Sequence, residues 1–105
     1  MNFSKKKEYE VSDKSLICNP QSIVDFMYGF GKKFEYEITS VDASSEDRIF
    51  NFGFLYLKDG IQKNVVIEYS NYDAKLKFDF STFRVEEIDF NNMFKEEENY
   101  IKQFI

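Results

Sequence analysis

The stretch from residue 49 to residue 69, IFNFGFLYLKDGIQKNVVIEY, decides the fold. Phe50, Phe52, Phe54 and Tyr56 recur at every second position, the period of a β-strand whose successive side chains point to opposite faces. Ile49, Gly53, Leu55 and Leu57 fill the alternate positions, so the strand is expected to be buried on both faces, as a central strand would be. Asp59-Gly60 suits the positive dihedrals of a tight hairpin turn, and Ile61 to Tyr69 follows as the returning strand.

The period of two extends in both directions. Upstream, Lys33 to Val41 sets Phe34, Tyr36 and Ile38 against Glu35, Glu37 and Thr39, a half-buried strand joined to the next by the turn VDASSEDR. Downstream of Asn71-Tyr72-Asp73, the residues Ala74, Leu76, Phe78 and Phe80 alternate with Lys75, Lys77 and Asp79, and one more strand is expected near Phe83 to Ile88. Before this meander, Asn19-Pro20 offers an N-cap and a first-turn proline to a helix whose Ile23, Phe26, Met27 and Phe30 share one face. Gly29 and Gly31 are expected to end it in a left-handed cap. The opening FSKKKEYEV ends in an alternation, Tyr9 and Val11 opposite Glu8 and Glu10, that reads as a short or edge strand. Met93, Phe94, Tyr100, Ile101, Phe104 and Ile105 form a closing helical stripe that starts after Asn91 or Asn92.

The expectation is an α+β fold, an antiparallel four- to five-stranded meander packed with one helix from the N-terminal half and one C-terminal helix. A β-sandwich or small barrel with one helix is the alternative. The layout resembles the cystatin-like one, in which a curled antiparallel sheet wraps a helix, a likeness of topology that carries no function. No repeat, linker or low-complexity block divides residues 1–105, so a single domain is expected. Thirteen Phe and seven Tyr supply its core, and the 31% of charged residues cover it.

The chain has no histidine, which removes every Ser-His or Cys-His nucleophile and the commonest metal ligand. Cys18 is the single cysteine, so neither an internal disulfide nor a cysteine-based zinc site is available. It adjoins a helix start, where a thiol can be activated, but Leu16 and Ile17 beside it favour a buried structural role. The run from Asp42 to Asp47 lacks the glycine and the ligand alternation of a calcium loop, and no glycine motif cradles phosphate. A pair of carboxylates at glycosidase distance is expected by chance among nineteen, and they read as solvated surface. Phe52-Gly53-Phe54 faintly resembles the aromatic strand of RNA-recognition domains, but it lacks their basic-glycine pair and reads as core. No enzymatic activity and no cofactor are expected.

Net charge is −5, and its placement is uneven. Residues 1–85 carry 12 basic and 13 acidic groups, whereas residues 86–98 carry one and six. Such a domain repels phosphate backbones and anionic lipid, so nucleic acid and membranes are poor partners and a basic protein is a good one. The opening MNFSKKKEYEV has no apolar stretch behind its lysines, and no apolar run approaches the length of a spanning helix, so a cytoplasmic location is expected. Asn2-Phe3-Ser4 matches a glycosylation sequon only by chance in that setting.

Within VEEIDFNNMFKEEENY (85–100), Glu86, Glu87 and Asp89 leave the sheet, while Glu96, Glu97 and Glu98 are expected on the outer face of the last helix. Three adjacent glutamates in mid-helix do not complement its dipole, and only Lys95 and Lys102 stand near enough to offset them. These six carboxylates are therefore the expected partner-binding residues. In size, acidity, lack of histidine and a Lys/Asn/Ile/Phe-rich composition, the chain resembles bacterial toxin-neutralising immunity proteins of the contact-dependent inhibition type. The resemblance implies a small cytoplasmic protein, monomer or weak homodimer, that blocks a basic, nucleic-acid-cleaving toxin. A phage-encoded inhibitor of a defence enzyme, a structural or adaptor homodimer pairing through a strand edge, and a small-ligand-binding domain are the alternatives.

Overall fold

A computed structural model describes residues 2–12, 20–44, 48–83, 90 and 92–103. Strand β1 (Asn2–Glu10) is followed by helix α1 (Pro20–Phe34), strands β2 (Glu37–Ser44), β3 (Ile49–Lys58), β4 (Ile61–Ser70) and β5 (Lys75–Phe83), and helix α2 (Lys95–Lys102). The five strands form one antiparallel sheet in the order β1-β5-β4-β3-β2. The α+β expectation is met. The sheet is open, with β1 and β2 at its two edges, so it is neither a barrel nor a sandwich.

Cross-strand register explains the core. Phe52 pairs with Ile67 and Ile67 with Phe78, while Phe54 pairs with Val65 and Val65 with Phe80. These six side chains are at most 2% exposed, and both helices lie over the face they form. Ile23, Phe26, Met27 and Phe30 of α1 supply its buried stripe, with the Phe30 ring 5.0 Å from Phe54. Phe94, just before α2, stacks parallel to Phe80 at 4.7 Å. Burying a side chain of this size stabilises the fold by about 1.5–3 kcal/mol, which is why the rows of rings dominate the architecture.

Several local expectations give way to packing. Helix α1 does not stop at Gly29 or Gly31 but runs through them to Phe34. The glycines permit close approach instead: a Cβ on Gly29 would stand 2.9 Å from the Tyr100 hydroxyl, and one on Gly31 would stand 3.3 Å from the Phe54 ring. The left-handed cap falls on Glu35 (φ 62°), after which the Tyr36 amide donates to the Gly31 carbonyl at 2.9 Å in a Schellman arrangement. Phe34 therefore belongs to α1, and β2 begins only at Glu37.

Strand β3 is buried on one face, not two, because among the described residues no element covers its outer side: Ile49 is 37% and Leu57 68% exposed. Ala74 is a turn residue at positive φ rather than the first inward residue of β5. Phe83 ends β5, and the fifth strand of the sheet is β1, paired along its length with β5. The expected strand beyond Phe83 lies outside the described residues, as do the Asn19 cap and Cys18. Asp59 and Gly60 make the expected hairpin turn with both φ positive. Among the described residues no helix is long and apolar enough to cross a membrane.

Candidate functional site

The glutamates of α2 stand in its first turn, where they complement the helix dipole, rather than in mid-helix, and they do not share one outer face. Glu96 is exposed, but Glu97 and Glu98 are only 4% and 8% exposed. The physical reason is helical spacing: Phe94, Glu97, Glu98 and Ile101 stand at i, i+3, i+4 and i+7, the stripe that faces the sheet. Both carboxylates are tolerated there because lysines on the inward face of the strands meet them.

Lys63 shares its row and its face with Tyr56 and Thr82. Its ammonium lies 3.1 Å from Glu97 Oε2 and 4.6 Å from the Tyr56 ring centre. The Tyr36 hydroxyl donates to the same carboxylate oxygen at 2.9 Å. Burial pushes the Tyr36 pKa far up, and the neighbouring Glu97 charge adds to the shift.

Lys5 and Lys7 occupy the same face of β1, opposite Phe80 and Phe78. They hold Glu98 from two sides at 2.8 and 2.6 Å, and Lys102 approaches it at 3.5 Å. Burial alone would raise the Glu98 pKa, but hydrogen bonds and charge from Lys5 and Lys7 outweigh it and bring it to about 2. The Glu98 hydrogen bond likewise raises the pKa of Lys7. This ionic cluster joins the last helix to the first strand and to β4, and its chemistry is that of a structural clamp.

Glu86, Glu87 and Asp89 lie outside the described residues. Glu96 borders a small open depression with Lys33, Phe34, Asn99, Tyr100 and Gln103. The six expected partner-binding residues are thus divided between the interior, a helix surface and a segment that is not described.

The sheet's outer face offers a different surface. Its residues alternate with the core rows and stay open to solvent: Glu37, Ser40 and Asp42 on β2, Ile49 and Leu57 on β3, and Val66 on β4 are all exposed. Asn51, Leu55, Asn64 and Glu68 are half-buried between them. On this face of β2, β3 and β4 every charged group is a carboxylate, namely Glu37, Asp42 and Glu68. Among the described residues none of the three has an ion-pair partner within 4.0 Å.

The β1–β5 half of the face is mixed instead, with Glu8 pairing to Lys75 at 3.1 Å and to Lys77 at 3.8 Å. Between the halves lies an open depression of about 400 Å³ over Val66, bordered by Lys6, Glu8, Glu68, Lys77 and Asp79.

Sequence reasoning passed over this surface because Glu37 and Asp42 have opposite parity in β2, brought to one face only by the register shift between Ile38 and Ser40, and Glu68 is a single charge two strands away on β4. Only the register aligns them, with Asp42 opposite Asn51 and Asn51 opposite Glu68. Among the described residues no group of acidic, histidine or cysteine side chains is arranged to hold a metal ion. No family model, no curated protein and no solved structure matches the chain.

Proposed function

We propose that the protein is an acidic binding module of the immunity type that neutralises a basic, nucleic-acid-cleaving toxin. One observation carries this reading: the outward charges of β2, β3 and β4 are all carboxylates, spread around exposed Ile49, Leu57 and Val66. Charge of one sign steers a basic partner and rejects an acidic one, while apolar residues between the charges supply area to bury on contact.

Glu97 and Glu98, as clamp residues, drop out of the proposed contact set. Glu96 remains in it, and Glu86, Glu87 and Asp89 remain on charge alone. The test is a search for a basic nuclease encoded beside this gene and, with that protein, association measured against salt for the wild type and for Glu37→Lys, Asp42→Lys and Glu68→Lys combined. Association of the triple variant is expected to slow at least tenfold at low salt with little change in Tm. Unchanged association, or no complex with that neighbour at all, overturns the proposal.

A further inference from the structure

Strand β2 is the sheet edge on the acidic side, and among the described residues it pairs with β3 alone. The opposite edge, β1, is guarded in the usual manner, with Lys5 and Lys7 pointing inward and Lys6 78% exposed. Strand β2, EITSVDAS, itself carries no lysine or arginine.

A register shift between Ile38 and Ser40 kinks the first part of β2. Beyond it Val41, Asp42, Ala43 and Ser44 pair regularly with Phe52, Asn51, Phe50 and Ile49, so an unkinked length of edge remains.

The two sides of that length differ chemically. On the helix side Val41 continues the row Phe78–Ile67–Phe52, yet it is 50% exposed because the row ends there. Tyr28 of α1, also 50% exposed, stands edge-on to the same Phe52 at 5.7 Å. Val41 and Tyr28 together form an apolar ledge at the open edge. On the outer side Asp42 and Glu37 present carboxylates.

We infer that this edge accepts a strand from a protein partner in which aliphatic and basic residues alternate. The added strand extends the sheet by one, setting its aliphatic side chains on the Val41–Tyr28 ledge and its basic ones beside Asp42 and Glu37. A second copy of this chain is a poor occupant, because pairing β2 with β2 brings carboxylates against carboxylates. The inference rests on the proposed basic partner and specifies how that partner is gripped.

The test uses the full chain and a capped octapeptide of alternating valine and lysine. A capped octapeptide of the same composition, with its four valines before its four lysines, serves as control. Amide hydrogen exchange and chemical shifts are read across β2, Tyr28 and the outer sheet face. The alternating peptide is expected to slow exchange over residues 40–44, to shift Tyr28, and to bind at least tenfold more tightly than the control. Val41→Lys and Asp42→Lys, both exposed and harmless to the core, should each weaken it about tenfold.

Four outcomes overturn the inference: equal binding of the two peptides, no binding of either, protection confined to Asn51, Val66 and Glu68, or protection of β2 that rises with protein concentration without peptide. The third leaves the acidic-module reading standing. Failure of the charge-reversal series with the natural partner sinks that reading independently.

Discussion

Lys7 Nζ lies 2.6 Å from Glu98 Oε1 across a separation of 91 residues, tying an edge strand to the final helix. Its effect depends on the charge of the carboxylate. Glu98 has its pKa lowered from 4.5 to about 2 in the fold, so it stabilises the native state above pH 4.5 and loses that contribution as pH falls toward 2. The contribution is about 2–3 kcal/mol at neutral pH. Glu98→Gln is expected to lose about that much at pH 7, and its deficit against wild type should shrink between pH 4.5 and 2. Urea unfolding at a series of pH values measures the difference, and a deficit constant with pH would exclude the ionic role.

Lys63 and Glu97 make the more enclosed pair, with side chains 14% and 5% exposed. Lys63→Ala leaves the Glu97 charge buried without its counter-ion and should destabilise by about 3–5 kcal/mol. Lys63→Met combined with Glu97→Gln should cost less than the sum of the two single changes, because the second removes what the first leaves unpaired. Tyr36→Phe deletes a hydrogen bond to the same carboxylate and should cost about 1.5–3 kcal/mol. Denaturant midpoints of Lys63→Ala, Tyr36→Phe, Lys63→Met, Glu97→Gln and the double variant check the set, and strict additivity of the last three would contradict it.

Glu35 and Ala74 hold left-handed backbone with φ of 62° and 53°. A side chain there is strained by roughly 1–2 kcal/mol, and glycine relieves it at some cost in unfolded-state entropy. Glu35→Gly and Ala74→Gly are each expected to raise stability by about 0.5–1 kcal/mol. The loss of the exposed Lys58–Glu35 pair subtracts little from the first. A rise in Tm for each variant is the readout.

Gly29 and Tyr100 should behave non-additively. Alanine at position 29 gains helix propensity of about 1 kcal/mol but presses on the Tyr100 hydroxyl. In the wild-type background the two effects nearly cancel. In a Tyr100→Phe background the obstructing atom is gone, and Gly29→Ala should then stabilise by about 0.5–1 kcal/mol. A thermal double-mutant cycle reads the difference directly.

The alternation in β3, β4 and β5 was legible because one side of each strand is uniformly apolar, and a period of two cannot be mistaken when rings recur along it. The end of α1 was not legible. A glycine that caps a helix and one that lets a neighbour approach look alike until Tyr100 and Phe54 are in place.

The burial of Glu97 and Glu98 left two traces in the sequence. Lys5 and Lys7 share the parity of Tyr9 and Val11, and Glu97 and Glu98 fall at helical spacing between Phe94 and Ile101. Each trace taken alone reads as a charge turned to water. Only the pairing of segments 34 to 93 residues apart makes both inward positions favourable.

The same clamp bears on the order in which the chain assembles. The strand carrying Lys5 and Lys7 is synthesised first and the helix carrying Glu97 and Glu98 last, while the β2–β5 meander between them forms from near neighbours. In a sheet formed before that helix docks, three ammonium groups would stand on the apolar side, and their hydration would oppose premature sealing of that side or its sticking to another nascent chain. The final helix ends that protection by neutralising the lysines as it docks.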